Sequence, residues 1–255
     1  MLTFGEIRER YEAITGEKIT TVELASRIDK AQIEIAKKHG ERLSYWYPRP
    51  VTETSAPIDD QVQTIPVVST ADILDPPGTI YLGTGSDVER MTYNLVAGNQ
   101  LQQVQRSVPG RNWPQGTPVR MALQPRTEAD LPADYLISHE VMSLGNWPYK
   151  GYQISKEMKI LFFLEGLYKL IYTPVPEAID HQDNASVPTV HRAFHEDIVT
   201  FCLAKHWEKI ADGIPGEEEK AFRLMRSFQR SVEDTAHLLR RNVNERHQID
   251  YELWS

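Results

Sequence analysis

Apolar residues recur every third or fourth position at both ends of this chain and gather into short runs in its middle. The change of period divides the sequence into helices, strands and helices. Near the start the stripe is Phe4, Ile7, Tyr11 and Ile14, and Gly16 ends it. Thr20 and Glu23 have capping-box spacing, in which the hydroxyl oxygen and the carboxylate each take a free backbone N–H. The helix they open is predicted to reach about His39, with Leu24, Ile28, Ala31 and Ile35 on one face and Gly40 as its stop.

The texture changes at Ser44-Tyr45-Trp46-Tyr47, and from there to about Thr173 the chain carries most of its prolines and glycines. Residues 64–68, 78–82, 89–93, 100–105, 117–123, 159–164 and 168–172 have strand length and strand composition. Turn signals separate them: Asp75-Pro76-Pro77-Gly78, Ala97-Gly98-Asn99, Pro109-Gly110 and Glu165-Gly166. The spacing predicts a small sandwich or barrel built from hairpins. Two helices then close the chain. One is predicted from Pro188, capped by Ser186, to about Ala211. The other opens at Pro215, with Glu217, Glu218 and Glu219 in its first turn. Its stripe is Phe222, Met225, Phe228, Val232, Ala236, Leu239 and Val243.

The fold class that follows is α+β: a four-helix layer made by the N- and C-terminal helix pairs, an inserted antiparallel β domain, and an extended C-terminal tail. The predicted boundaries are a helical hairpin over 1–44, a β-rich insertion over 45–173, a helix pair over 174–247 and a tail over 248–255.

Charge and composition narrow the function classes. Among 255 residues no apolar run approaches the ~18 needed to span a bilayer, so no membrane partner is expected. Charges sit among the first eleven residues, where a secretory signal needs an apolar core. The single cysteine leaves no internal disulfide and no multi-cysteine metal site. A net charge of −8 argues against a sequence-specific DNA reader with a broad basic face.

Candidate chemistry is sparse. His191, His195, Cys202 and His206 fall on one side of the predicted third helix. However, His195 and His206 stand about 16 Å apart along its axis, and no HExxH pattern is present. The reading that fits is a helix–helix or subunit-contact face with a packed thiol. Gly83-Thr84-Gly85-Ser86-Asp87 lacks the ending of a phosphate loop and reads as a turn between strands. No Gly-x-Ser-x-Gly elbow exists, and no enzymatic activity, cofactor or metal is expected. Two features remain. Arg223, Arg226 and Arg230 belong to a basic series on the last helix that could face nucleic acid or an acidic partner surface, a solvated face being the commoner explanation of such a series. Tyr251, Leu253 and Trp254 alternate with acids at the C-terminus, and aromatic residues are favoured interface anchors.

Several stretches carry a resemblance: Ala31-Gln32-Ile33-Glu34-Ile35-Ala36 before Tyr45-Trp46-Tyr47; Lys169 to Pro176; Ser186-Val187-Pro188-Thr189-Val190-His191; and Ile198 to Ala204. Together they resemble the head-to-tail adaptor (connector, or head-completion) proteins of tailed bacteriophages. The insertion is similar to a β module of phage tail and baseplate proteins, through Pro77-Gly78-Thr79-Ile80-Tyr81-Leu82-Gly83, Glu89-Arg90-Met91-Thr92-Tyr93, Gly98-Asn99-Gln100-Leu101, Val104-Gln105-Arg106 and Gln115-Gly116-Thr117-Pro118-Val119. Ser107-Val108-Pro109-Gly110 stands where that module has an arginine-glycine turn.

The resemblance implies a structural protein of the virion neck, assembled in the host cytoplasm. It forms a ring, usually of twelve copies, under the portal protein, contacts the next neck or tail component, and extends the channel for retention and ejection of the genome. DNA passes without sequence-specific binding, which suits an acidic chain, because phosphate contacts would hold it back. The tail, with Tyr251, Leu253 and Trp254, is then the candidate for portal docking. The runner-up is a peripheral tail or baseplate protein built on the β module. A metal hydrolase using the histidine stripe ranks last.

Overall fold

Thr3 opens the first helix. It sits extended ahead of α1 (Phe4–Thr15); its hydroxyl accepts from the N–H of Glu6, and the Glu6 carboxylate accepts from the N–H of Thr3. The complete capping box therefore heads α1. At α2 (Thr21–His39) only half of the box forms: Thr20 accepts from the Glu23 N–H, while the Glu23 carboxylate turns to Arg27 and Lys209. Gly16 ends α1 in the left-handed conformation at φ 72°. Gly40 ends α2 in ordinary extended backbone, and close packing is what requires glycine there. A Cβ would collide with Thr173 Cγ2 and come within 2.6 Å of the Ala36 carbonyl oxygen.

This structure is a computed structural model that describes residues 1–84, 87–106, 110–144, 147–211 and 214–252, with the backbone alone at 84, 215 and 240–252. It divides into two compact units, Met1–Arg42 with Thr173–Ser255, and Leu43–Tyr172. The fold is α+β.

The second helix pair of the first unit departs from the sequence expectation at both ends. Pro188 does not open a helix. Arg192–Phe194 forms one 3-10 turn, and α3 runs over His195–Ile210. The backbone before it is engaged elsewhere. The Ser186 carbonyl accepts from the N–H of Phe4 and the Asn184 carbonyl from that of Gly5, satisfying two free donors at the head of α1. Ser186 Oγ accepts from the Asp180 N–H, so it caps no helix. At the other end, α4 (Pro215–Glu252) runs for 38 residues, roughly 57 Å, and includes 248–252, where the sequence predicted an extended tail. No proline or glycine interrupts 217–252, so nothing stops the helix. Leu253 and Trp254 lie outside the described residues.

The four helices contribute to one apolar core, in which Phe4, Ile28, Phe194, Cys202 and Phe228 are almost wholly enclosed. Helix α3 is buried around most of its circumference and packs against the other three. The segment between Pro174 and Val190 has no regular structure and is fixed to α2 by polar side chains. The Asp29 carboxylate accepts from the Ile179 N–H at 2.9 Å, and Gln32 Oε1 accepts from the Thr189 N–H at 2.7 Å.

The second unit contains small sheets in place of the single sandwich or barrel that the spacing predicted. β1 (Leu43–Tyr47) and β14 (Tyr168–Pro174) pair antiparallel from Leu43↔Tyr172 to Tyr47↔Tyr168, with β11 (Tyr135–Ser143) beyond β14. β10 (Glu128–Asp130), β13 (Lys159–Phe162) and β12 (Tyr152–Ile154) form a second sheet in that order. The largest has the order β2 (Thr52–Glu53), β9 (Pro118–Met121), β4 (Gly78–Thr84), β5 (Asp87–Tyr93), β8 (Gln105–Arg106). The last joins β3 (Thr64–Pro66), β7 (Gln100–Gln102) and β6 (Leu95–Val96). Most strands span two to five residues, because proline, which cannot donate to a ladder, recurs through the insertion, and so short a ladder cannot wrap a barrel.

Two main cores result. One centres on Ile65, Ile80, Leu82, Tyr93, Leu101 and Val119. The other centres on Val141, Ile160, Phe162, Tyr168 and Leu170. Beside the first, a buried ion pair ties strands to loops: Arg106 donates to both Glu89 oxygens at 2.8 and 3.0 Å, and Trp113 Nε1 donates to the same carboxylate at 2.8 Å. β4 and β5 pair as far as Thr84↔Asp87, so Gly83, Thr84 and Asp87 of the stretch read as a turn belong to the strands, and Gly85 and Ser86 lie outside the described residues. Among the described residues no helix is long and apolar enough to cross a membrane.

Candidate functional site

The polar side chains of α3 are partners of the fold. His195 is 2% exposed; its Nδ1 accepts from the Leu2 N–H at 3.0 Å and its Nε2 donates to the Val190 carbonyl at 3.2 Å. These two partners fix a neutral tautomer, and burial holds its pKa below the ordinary histidine value. His206 lies just over three turns further along α3. Arg27 donates to Tyr11 Oη at 3.1 Å, and Tyr11 Oη lies 2.7 Å from His206 Nδ1, so the tyrosine donates onward to the imidazole. Burial lowers the His206 pKa, against the pull of the Glu17 carboxylate 3.9 Å away. Arg27 also donates to the Cys202 carbonyl at 3.2 Å and to Glu23 at 2.7 Å. The Cys202 thiol is fully enclosed, and burial pushes its pKa up to about 12. A thiol so protonated is a packing group, not a nucleophile.

Of the predicted histidine face, His195, Cys202 and His206 pack inside the helical unit, as its helix–helix alternative has it. His191 precedes α3 and is exposed, with its Nδ1 accepting from the Ala193 N–H at 3.3 Å. His195 is interior and offers no surface to a neighbouring subunit. The two do not form an i, i+4 pair on a helix, because the chain turns from the 3-10 segment into α3 between them. Among the described residues no group of three or more His, Cys, Asp or Glu side chains converges to hold a metal ion.

The surface of the helical unit is more informative. Arg223, Arg226 and Arg230 are all exposed on α4. Arg223 pairs with Glu219, and the Arg226 guanidinium stands 5.5 Å from the ring centroid of Phe222. Phe222, assigned to the core stripe from its spacing, is 62% exposed. The rest of that stripe faces the core where its side chains are described: Phe228, Val232 and Ala236 are buried in it, and Met225 and Leu239 pack against it.

Between α2, α3 and α4 lies an open groove of about 630 Å³. Its floor is apolar, with Ile33, Phe201, Met225 and Val232, and Lys30, Lys38 and Lys205 stand on its rim. A second hollow of about 660 Å³ continues it along α3 and α4 past Met225 towards Phe222. Such a trough can receive apolar side chains from another polypeptide while its lysines meet carboxylates. Sequence reasoning did not single out Ile33 or Lys30. The available signal was Ile33 itself, an apolar residue off the α2 stripe of Leu24, Ile28, Ala31 and Ile35. Of the predicted docking residues, Tyr251 is placed on the α4 backbone, and Leu253 and Trp254 lie outside the described residues.

The sequence matches no known family model and no curated protein.

Proposed function

We propose that this chain is a structural protein of a tailed-phage neck, a head-to-tail adaptor. Copies of it form a ring under the portal, join head to tail and continue the DNA channel, without catalysis. The observation that carries the reading is the build of the helical unit. Both chain ends make it, the β insertion leaves and returns through paired strands, and α4 continues about 24 Å beyond Ala236, the last buried residue among those described. A helix of 38 residues offers a long face for contact with another molecule.

Two further points support it. Gln32 and Thr189, which lie in separate stretches that carry the adaptor resemblance, meet in a hydrogen bond. The exposed arginines of α4 give one face a basic character that suits an acidic neighbouring surface, while the net charge of −8 suits a duct that must not grip DNA. In this reading Tyr251, Leu253 and Trp254 are contact anchors, and the portal is the partner that the resemblance names for them. The reading as a peripheral tail or baseplate protein draws on a different observation: the β strands between Thr52 and Met121 have an apolar core of their own.

Light scattering of the purified chain mixed with its portal protein tests the proposal. The expected result is a complex containing many copies of the chain per portal ring. Failure of the two to associate at micromolar concentration overturns the adaptor and moves the weight to the tail or baseplate reading.

A further inference from the structure

The groove on the helical unit has a floor without a partner, and the chain carries a segment with the complementary chemistry. Residues 249–254 read Ile-Asp-Tyr-Glu-Leu-Trp: four apolar side chains and two carboxylates. On the groove side, Phe201, Met225 and Val232 supply apolar contact, and Lys30, Lys38 and Lys205 bring three cations against Glu34 and Glu233. Glu233 is already paired with Lys38 at 3.0 Å and Glu34 with Lys37 at 2.7 Å. Lys30 is exposed and has no carboxylate partner among the described residues. Lys205 is paired with Glu208 at 2.5 Å in an exposed contact that can exchange partners, so the spare cationic capacity of the rim is Lys30.

The segment cannot reach the groove of its own chain. Val232 lines the groove, and α4 runs unbroken from there to Glu252. Seventeen residues of helix carry Ile249 about 26 Å further along the axis and away from the floor. Its seat must therefore be on another molecule.

We propose that the groove between α2, α3 and α4 is the seat for the C-terminal segment 249–254 of a second copy of this chain. Tyr251, Leu253 and Trp254 fill the apolar floor, and Asp250 and Glu252 face Lys30 and Lys205. Groove and segment are different surfaces, so the contact is head-to-tail and repeats from copy to copy, closing into a ring when the rotation per copy allows. The inference deepens the ring reading, on which it rests for a second copy, and it replaces the portal as the seat of the tail.

Two measurements test it. A fluorescently labelled peptide of residues 246–255 is titrated with the full chain and followed by anisotropy. Saturable binding is expected, weakened at least tenfold by Ile33→Asp in the chain or by Leu253→Asp with Trp254→Asp in the peptide. If Ile33→Asp fails to give a native melting curve, Lys30→Glu with Lys205→Glu carries the same comparison.

Carbodiimide, which joins carboxylates to amines in contact, is then applied to a mixture of ¹⁴N- and ¹⁵N-labelled full chains. The expected products link Asp250 or Glu252 of one isotope to Lys30, Lys38 or Lys205 of the other. Peptide binding that ignores both sets of groove substitutions, absence of binding, or cross-links confined to one isotope overturns the proposal. Binding of the peptide to the portal and not to the chain overturns it as well, while leaving the adaptor reading in place.

Discussion

A buried imidazole with one nitrogen accepting and the other donating has no place for a second proton. His195 is held in this way by the Leu2 N–H and the Val190 carbonyl, with the N-terminal amine and His191 as further cationic neighbours. His206 faces Tyr11, Arg27 and Lys220, which disfavour its charge or leave it no donor site, and Glu17 and Glu217, which favour it. For both, the folded pKa lies below the unfolded value of about 6.5, so the unfolded chain binds more protons in the window beneath that value. Stability supplied by the neutral imidazoles is present above pH 6.5 and is lost as the pH falls through their folded pKa values. Asp197 acts in the opposite sense. Burial raises its pKa, so acid relieves the cost of keeping its charge inside. The urea midpoint is expected to fall between pH 7.5 and pH 5.5, in the wild-type chain and in Asp197→Asn alike. A midpoint independent of pH in both proteins would show that neither imidazole is held neutral. The spacing of His191, His195 and His206 was legible in the sequence. Their fates were not, because burial and tautomer depend on Leu2, Tyr11, Arg27 and Val190, which no local pattern connects to them.

Periodicity located the first helix pair to within a residue or two, because stripe, cap and terminal glycine all agree there. Pro188 misled the reading of α3. Proline fits a first turn, but the neighbouring N–H and carbonyl groups serve α1 and α2, so tertiary hydrogen bonds outweigh the local preference. Strand β11 went unread because its side chains are mostly half-exposed and show no clean alternation. The two terminal glycines separate two meanings of one residue type. Gly16 stands at φ 72° in open space, so Gly16→Ala costs only the left-handed backbone, about 1 kcal/mol. Gly40 has φ −77° and no room, so Gly40→Ala must push aside Thr173 or the last turn of α2, at about 1–3 kcal/mol. Chemical denaturation of the two variants is expected to place Gly40→Ala below Gly16→Ala. The reverse order would mean that the α2 terminus yields easily.

The division into two units was the most legible feature at the scale of the whole molecule, since it coincides with the change from a period of three or four to short runs. The groove was not legible, because its walls come from helices separated by more than 150 residues of sequence and meet only after folding. The same division implies a stronger statement about folding. The helical unit encloses its own apolar core, the insertion encloses two, and the chain passes from Arg42 to Leu43 and returns from Tyr172 to Thr173. Leu43 and Tyr172 are opposite one another in an antiparallel pair, where Cα atoms stand about 4.5–5.5 Å apart. A gap of that size can be closed by a tight turn, at small entropic cost for so short a loop. Replacing residues 43–172 by a four-residue Gly/Asn turn is therefore expected to leave a helical protein with one cooperative thermal transition, and residues 43–172 alone are expected to fold with a β spectrum. Far-UV circular dichroism and calorimetry read both outcomes. An unfolded helical piece beside a folded insertion would mean that the helices need the insertion to order Gly40 and Thr173, where the two ends of the helical unit touch.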